Sequence, residues 1–138
     1  MKCKTIQIYL FISGLILITV GSYISFTPLD YMNQFGIQVS GNTSLLSDLR
    51  AMGGSLIVFG LIALWGNFHK PAQLTSLLVS SVVYSAYAIF RLIAFTMDGT
   101  PETLIILASV IELTLAISGW YLVAHTTNTT YTSFEVHP

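Results

Sequence analysis

Four ionisable side chains stand within or at the edge of long apolar stretches, and their types define the chemistry available to the chain. Asp48 and Arg50 lie two residues apart at the head of one apolar run, and Arg91 and Glu112 each lie in a later run. A charge at the centre of a membrane helix costs about 2.5–3.5 kcal/mol on insertion scales, so it needs a partner. Two acids and two arginines together carry no net charge, which makes their joint burial tolerable. We therefore expect one buried cluster of four charges.

The composition excludes several classes of protein. Of 138 residues, 54% are hydrophobic and 8% are charged, whereas soluble domains have about 25% charged residues. Five lysines and arginines and a net charge of −1 give no basic surface for nucleic acid. One cysteine excludes a disulfide framework. The histidines lie outside the apolar runs, so we expect no metal site and no cofactor.

Four apolar runs have about the 20 residues that a membrane helix needs. They predict an all-α integral membrane protein, a four-helix bundle within a single domain over residues 1–124. The helices are expected at residues 5–26, 45–66, 72–96 and 101–124. The threonine-rich residues 125–138 lack an apolar period and are expected to form a flexible cytoplasmic tail.

The distribution of lysines predicts the orientation. Lys2, Lys4 and Lys70 fall at one end of a four-pass chain, and basic loops favour the cytoplasmic side. Both termini are therefore expected in the cytoplasm, with the chain in the cytoplasmic (inner) membrane. An aromatic belt is expected at the same end, formed by Trp65, Phe68, Trp120 and Tyr121.

The loop between the first two membrane helices predicts a short helix of its own. Thr27 and Pro28 have the residue types of an N-cap and a first helical position. Leu29, Met32 and Phe35 share one face, which is typical of a helix lying at a membrane interface. The segment could be a plain amphipathic connector, or it could be a lid over the outer mouth of the bundle.

The third apolar run carries a polar stripe that we expect to face the bundle interior. At about 100° per residue, one face presents Ser76, Ser80, Tyr84, Tyr87 and Arg91. At about 1.5 Å rise per residue, Glu112 lies roughly 16 Å from the outer end of its helix and the arginines about 7 Å from theirs. Long arginine side chains span such a difference. Glu112 is therefore expected to accept from one or both arginines, with Tyr84 or Tyr87 as a further donor.

Small residues predict where the helices pack. Gly53, Gly54 and Gly60 lie in the second run, and Gly119 lies in the fourth. Glycine allows two helix backbones to approach closely in a membrane. We interpret these four glycines as helix-packing positions.

One combination of residues resembles a known family. It consists of Asp48-Leu49-Arg50-Ala51-Met52 with Gly54, of Arg91 shortly before Asp98-Gly99 and Pro101, and of Glu112. It resembles an uncharacterised bacterial family of short four-helix inner-membrane proteins, catalogued as a domain of unknown function. The resemblance implies an inner-membrane location and the importance of Arg50, Arg91 and Glu112, and it implies no activity. A weaker likeness to DoxX-like membrane proteins concerns size and topology only.

Three functions fit these observations. The first is a non-enzymatic membrane protein that binds a small anionic or amphiphilic ligand or a lipid through the cluster, or that serves as an accessory subunit of a homo-oligomer or larger membrane complex. The second is an oligomeric proton-coupled transporter that uses Glu112. The third is a small membrane enzyme acting on a quinone or lipid, for which no catalytic His, Ser or Cys set lies at membrane depth. The cluster could also be a structural network that fixes helix register. We favour the first.

Overall fold

The computed structural model describes the backbone of residues 2–38 and 41–134, and the side chains of residues 4–38 and 41–126. Within these ranges the chain forms helices and no strands. The helices are α1 (Lys2–Phe26), α2 (Pro28–Asn33), α3 (Thr43–Phe68), α4 (Gln73–Met97) and α5 (Thr103–Phe134), and a 3₁₀ turn (Lys70–Ala72) links α3 to α4. The predicted all-α class is confirmed.

Four of the helices are long and apolar enough to cross a membrane. The candidate spans are Lys4–Phe26, Thr43–Phe68, Lys70–Met97 and Thr103–Thr126, which confirms the prediction of four such segments. Their outward faces carry large apolar side chains, among them Phe11, Leu15, Val58, Leu61, Phe90, Leu113 and Ile117, each more than two-fifths exposed. An exterior of this kind suits contact with acyl chains better than contact with water.

The last helix is longer than predicted. The apolar pattern predicts that the fourth membrane helix ends at Ala124, whereas α5 continues to Phe134. The chain has no glycine or proline between Trp120 and Pro138, so nothing in the residue types stops the helical hydrogen-bonding pattern. The side chains beyond Thr126 lie outside the described residues, and the flexibility of residues 125–138 stays a prediction.

A reciprocal glycine contact joins α1 and α3, which share the most extensive interface in the described part of the chain. Gly21 faces Gly53, and Gly14 faces Gly60. A Cβ placed on Gly53 would lie 2.6 Å from the carbonyl oxygen of Gly21, and the reverse substitution would give the same 2.6 Å. At the second crossing, a Cβ on Gly60 would lie 2.8 Å from the carbonyl oxygen of Gly14, and a Cβ on Gly14 would lie 2.9 Å from that of Gly60. The two backbones therefore touch at two points seven residues apart on each antiparallel helix.

The other two predicted packing glycines differ from each other. A Cβ on Gly119 of α5 would meet the hydroxyl of Ser81 on α4 and the ring of Tyr9 on α1, so this glycine lies where three helices converge. A Cβ on Gly54 would meet nothing within 4 Å. Gly54 is therefore not at a close helix contact, because its neighbour Gly53 occupies the buried face of α3.

Short turns set the order of the remaining helices. The 3₁₀ turn connects α3 to α4. α3 packs on α4, and α4 packs on α5. Gly99, in the turn between α4 and α5, has a φ of +95°, which favours glycine. The turn is only a few residues long, so α4 and α5 are antiparallel neighbours. This arrangement brings the outer part of α4 beside the outer part of α5.

Candidate functional site

One ion pair joins α4 to α5. Nε of Arg91 donates to Oε2 of Glu112 over 2.7 Å, and Nη2 donates to Oε1 over 3.2 Å. This two-point geometry is the strong form of an arginine–carboxylate pair. The two side chains keep 27% and 15% of their surface exposed, so the pair is partly buried. The predicted contact between these residues is present.

The predicted cluster of four buried charges is wrong. Asp48 and Arg50 are exposed, and Nη1 of Arg50 donates to the backbone carbonyl of Ser25 on α1 over 2.6 Å. Leu49, which lies between Asp48 and Arg50 in α3, is the residue that is buried in this helical turn. Residues on either side of a buried helical position point about 100° away from it, so both charges face outward. No charged side chain is buried among those that the structure describes.

A cavity of about 330 Å³ lies beside the ion pair. Every helix contributes to it, and most of its lining is aliphatic or aromatic. The polar lining groups are the ion pair, Gln34 and four tyrosines, which are Tyr23, Tyr31, Tyr84 and Tyr87. The apolar lining includes Ile16, Leu17, Val20 and Ile24 of α1, Met52 and Leu56 of α3, and Leu104, Ile105, Ala108 and Ile111 of α5.

The segment over the cavity is the predicted short helix and the turn that follows it. Tyr31 of α2 lies between two aromatic neighbours in edge-to-face contacts, with ring centroids 5.9 Å from Tyr23 and 5.3 Å from Phe35. Burial raises the pKa of the Tyr31 phenol above its ordinary value of 10.0, while nearby Arg91 lowers it and Glu112 raises it. Tyr31 and Phe35 both line the cavity, so this segment forms its cover.

The two tyrosines predicted as donors have different roles. The Tyr84 hydroxyl is buried and donates to the carbonyl of Ser13 on α1 over 2.8 Å, so it ties α4 to α1. Tyr87 is half-buried and lines the cavity with the ion pair. Within the described residues its hydroxyl donates no hydrogen bond to protein, which leaves it available at the cavity surface.

The other hydroxyls of the polar stripe on α4 serve helix packing. Ser76 donates to the carbonyl of Ile62 on α3 over 2.8 Å, whereas the buried Ser80 hydroxyl packs between the helices without a hydrogen-bond partner among the described residues. Hydrogen bonds of this kind join helices inside a bundle. The stripe therefore faces the interior, and only its outer end, from Tyr84 to Arg91, reaches the cavity.

Two groups of residues at the helix contacts and the cavity are not among those that the sequence predicts. Gly14 and Gly21 have the same spacing of seven as Gly53 and Gly60. That shared spacing could have identified the close contact between α1 and α3. The apolar lining from α1 carries no such signal, because an aliphatic residue at a cavity has the same type as one in a packed core. Tyr31 could have been found from its place on the inner face of the predicted short helix.

A protein family described as Domain of unknown function (DUF4345) matches residues 5–123. The chain belongs to the DUF4345 family. The matched range contains all the residues that line the cavity, so the site is part of the DUF4345 domain. No curated protein and no solved structure matches the chain. The bacterial origin and the likeness to DoxX-like proteins stay predictions, since the family match concerns neither.

The described residues include no group of three or more His, Cys, Asp or Glu side chains that could hold a metal ion. The polar groups that line the cavity are the ion pair, the phenols and the carboxamide of Gln34. These groups donate and accept hydrogen bonds at one place on an otherwise apolar wall.

Proposed function

We propose that this DUF4345 protein is an integral protein of the cytoplasmic membrane and that its cavity binds one amphiphilic molecule taken from the bilayer. The single observation that carries the proposal is the cavity itself, because an apolar space with polar groups at one place matches a molecule with an apolar body and a polar head. The ligand is proposed to place its head at Arg91 and Glu112 and its body along α1 and α5.

The size and lining of the cavity support a small-molecule site. Such sites have volumes of roughly 300–1,000 Å³ and are mostly apolar, with a few polar groups that orient the ligand. The volume of about 330 Å³ lies at the lower end of this range. It suits a single chain or a small ring system better than a two-chain phospholipid.

The placement of charges and aromatic residues supports the membrane orientation. Lys4 and Lys70 lie at one end of the bundle, and Trp65 and Tyr121 at the same end are about three-fifths exposed. Aromatic residues at this level suit a membrane interface, and lysines suit the cytoplasmic side. The cavity then lies in the outer half of the membrane, with both termini in the cytoplasm.

A side opening between α1 and α5 supports entry from the bilayer. From mid-depth inward these helices meet. There the Tyr9 hydroxyl on α1 donates to the carbonyl of Leu115 on α5 over 3.0 Å. In the outer half the cavity lies between them. Val20 and Leu104 line it from either side, yet they are 44% and 57% exposed. An apolar opening on the side of a membrane bundle faces acyl chains, so an amphiphile reaches the cavity without crossing water.

The contacts of Glu112 make binding a better proposal than proton transport. The carboxylate is held at two points by Arg91. Of the polar stripe that would continue a path toward the cytoplasm, Ser76 and Tyr84 donate their hydroxyl protons to backbone carbonyls of neighbouring helices, and the Ser80 hydroxyl is buried. We therefore propose a binding function, with the protein acting alone or as an accessory subunit.

Native mass spectrometry of the full chain, released from non-ionic detergent, tests the binding proposal. Ala108→Trp places a large ring in the cavity, so co-purified lipid-sized adducts are expected to disappear. Val110→Trp is the matched control, because Val110 lies on the same helix, is 57% exposed and does not line the cavity. Adducts that persist in Ala108→Trp, or that disappear equally in both variants, contradict the proposed site.

A reporter fusion tests the orientation separately. Green fluorescent protein fused after Thr126 is expected to fluoresce, and alkaline phosphatase fused at the same position is expected to be inactive. The opposite pair of results would place this end outside the cytoplasm and the cavity in the inner half of the membrane.

A further inference from the structure

The ion pair leaves no excess charge at the cavity. Glu112 neutralises Arg91 through both of its carboxylate oxygens. An anionic head that bound Arg91 would either displace this carboxylate and leave it without its partner, or bind the remaining N–H donors and place a second negative charge beside Glu112. A cationic head that bound Glu112 would leave the guanidinium unpaired in the same way. Removing one partner from this partly buried pair leaves an uncompensated charge with little access to water, which costs more than the pair contributes.

Hydrogen-bonding capacity remains at the same place. A guanidinium has five N–H donors, and Glu112 uses two of those on Arg91. The Tyr87 hydroxyl also lines the cavity and donates to no protein group among the described residues. A phenol both donates and accepts. The site therefore offers donors and an acceptor to a neutral polar group without disturbing the ion pair.

The charges around the cavity also disfavour an anion. Outside the ion pair, the outer end of the bundle carries four exposed carboxylates, from Asp30, Asp48, Asp98 and Glu102, against the single guanidinium of Arg50. Arg50 does not line this cavity, and its guanidinium is bound to a backbone carbonyl of α1. The cavity lining therefore offers no second cation that could compensate a negative head.

Resting on the proposed function, we infer that the ligand is an amphiphile with an uncharged head that bears hydroxyl or carbonyl groups. The guanidinium and phenol donors bind its oxygen atoms, the Tyr87 oxygen accepts from its hydroxyl, and the Arg91–Glu112 pair stays intact. The same pair makes charged single-chain lipids, such as lysophosphatidates, bind more weakly than uncharged ones.

A direct competition tests this inference. Monoolein and oleoyl lysophosphatidate share one acyl chain and a glycerol and differ by the phosphate, so equal amounts are offered to the full chain in one sample. Native mass spectrometry then reads the ratio of the two bound species. The expected preference for monoolein is about tenfold or more. A second competition replaces the lysophosphatidate with oleylamine and is expected to give the same preference.

Three variants separate the role of the ion pair from other causes. Glu112→Gln frees Arg91, and the share of bound lysophosphatidate is expected to rise about tenfold. The double variant Arg91→Gln, Glu112→Gln removes both charges and should keep the preference for monoolein. Glu102→Gln removes an exposed outer carboxylate that does not line the cavity, and it should leave the ratio within about twofold.

The outcomes distinguish this inference from the proposed function. Lysophosphatidate or oleylamine bound as well as monoolein overturns the uncharged head and leaves the cavity a lipid site. A ratio that Glu112→Gln does not change overturns the role of the ion pair. Absence of all three lipids from the wild-type chain overturns the binding function, and the inference with it.

Discussion

Two adjacent glycines of α3 allow the contact between α1 and α3 to be tested. Gly53 lies at this contact, and Gly54, one residue away, serves as the control. A Cβ on Gly53 would lie 2.6 Å from the carbonyl oxygen of Gly21 and 2.7 Å from the backbone nitrogen of Ser25. Both contacts are with backbone, so no side chain can rotate to relieve them. A Cβ on Gly54 would meet nothing within 4 Å. Gly53→Ala is therefore expected to destabilise the protein, and Gly54→Ala is not.

The magnitude follows from comparing the two variants. Each replaces glycine by alanine in the same helix, so the gain of about 1 kcal/mol in helix propensity is common to both and cancels in the difference. Overpacking a close contact costs about 1–3 kcal/mol. The free energy of unfolding of Gly53→Ala should thus be lower than that of Gly54→Ala by about 1–3 kcal/mol.

Reversible unfolding in mixed micelles, followed by tryptophan fluorescence, measures this difference. Combining Gly21→Ala with Gly53→Ala should give a non-additive result, because the two glycines occupy one contact. Equal stability of Gly53→Ala and Gly54→Ala would refute the reasoning, since it would mean that α1 and α3 do not touch at this crossing.

Three further predictions concern the cavity and its supports. In a double-mutant cycle on unfolding free energy, Arg91→Gln and Glu112→Gln should show a coupling of about 1 kcal/mol, as the pair is partly exposed; zero coupling would contradict the ion pair. Tyr84→Phe loses the hydrogen bond to Ser13 and should cost about 1 kcal/mol in the same assay; an unchanged stability would count against that bond. Because the pKa of Tyr31 is raised in the folded protein, the folded state holds its proton more tightly, so this residue's contribution to stability is complete below pH 10.0 and is lost as the pH rises further. Tyr31→Phe should make stability less dependent on pH in that range, and an identical alkaline dependence would argue against a buried phenol.

The main elements of the fold could be predicted because membrane helices have strong signals in the residues themselves. Long apolar runs define the four spans, and the turn at Gly99 makes α4 and α5 neighbours. The contact of Arg91 with Glu112 follows from this pairing together with the depth of each residue. These signals are local or connect helices that are adjacent in the chain.

The rest depends on how each helix is rotated about its axis, which residue types specify poorly in a nearly uniform apolar segment. The need of a membrane charge for a partner predicts Arg50 within the cluster and Asp48 at its outer rim, but the rotation of α3 buries Leu49 and Gly53 and turns both charges outward. The snorkelling reach of arginine makes an exposed place near the end of a span inexpensive. The cavity could not be predicted because an unfilled space is a property of the packing between helices.

The paired glycines of α1 and α3 also affect how the cavity changes volume. Two backbones in contact at two points lose close packing if they separate and meet neighbouring side chains if they slide, so we expect this pair to be the more rigid part of the bundle. α5 meets α1 mainly at the inner end, through Tyr9. We therefore expect a guest larger than the resting space to displace the outer part of α5 outward about the contact at Leu115, while α1 and α3 keep their positions.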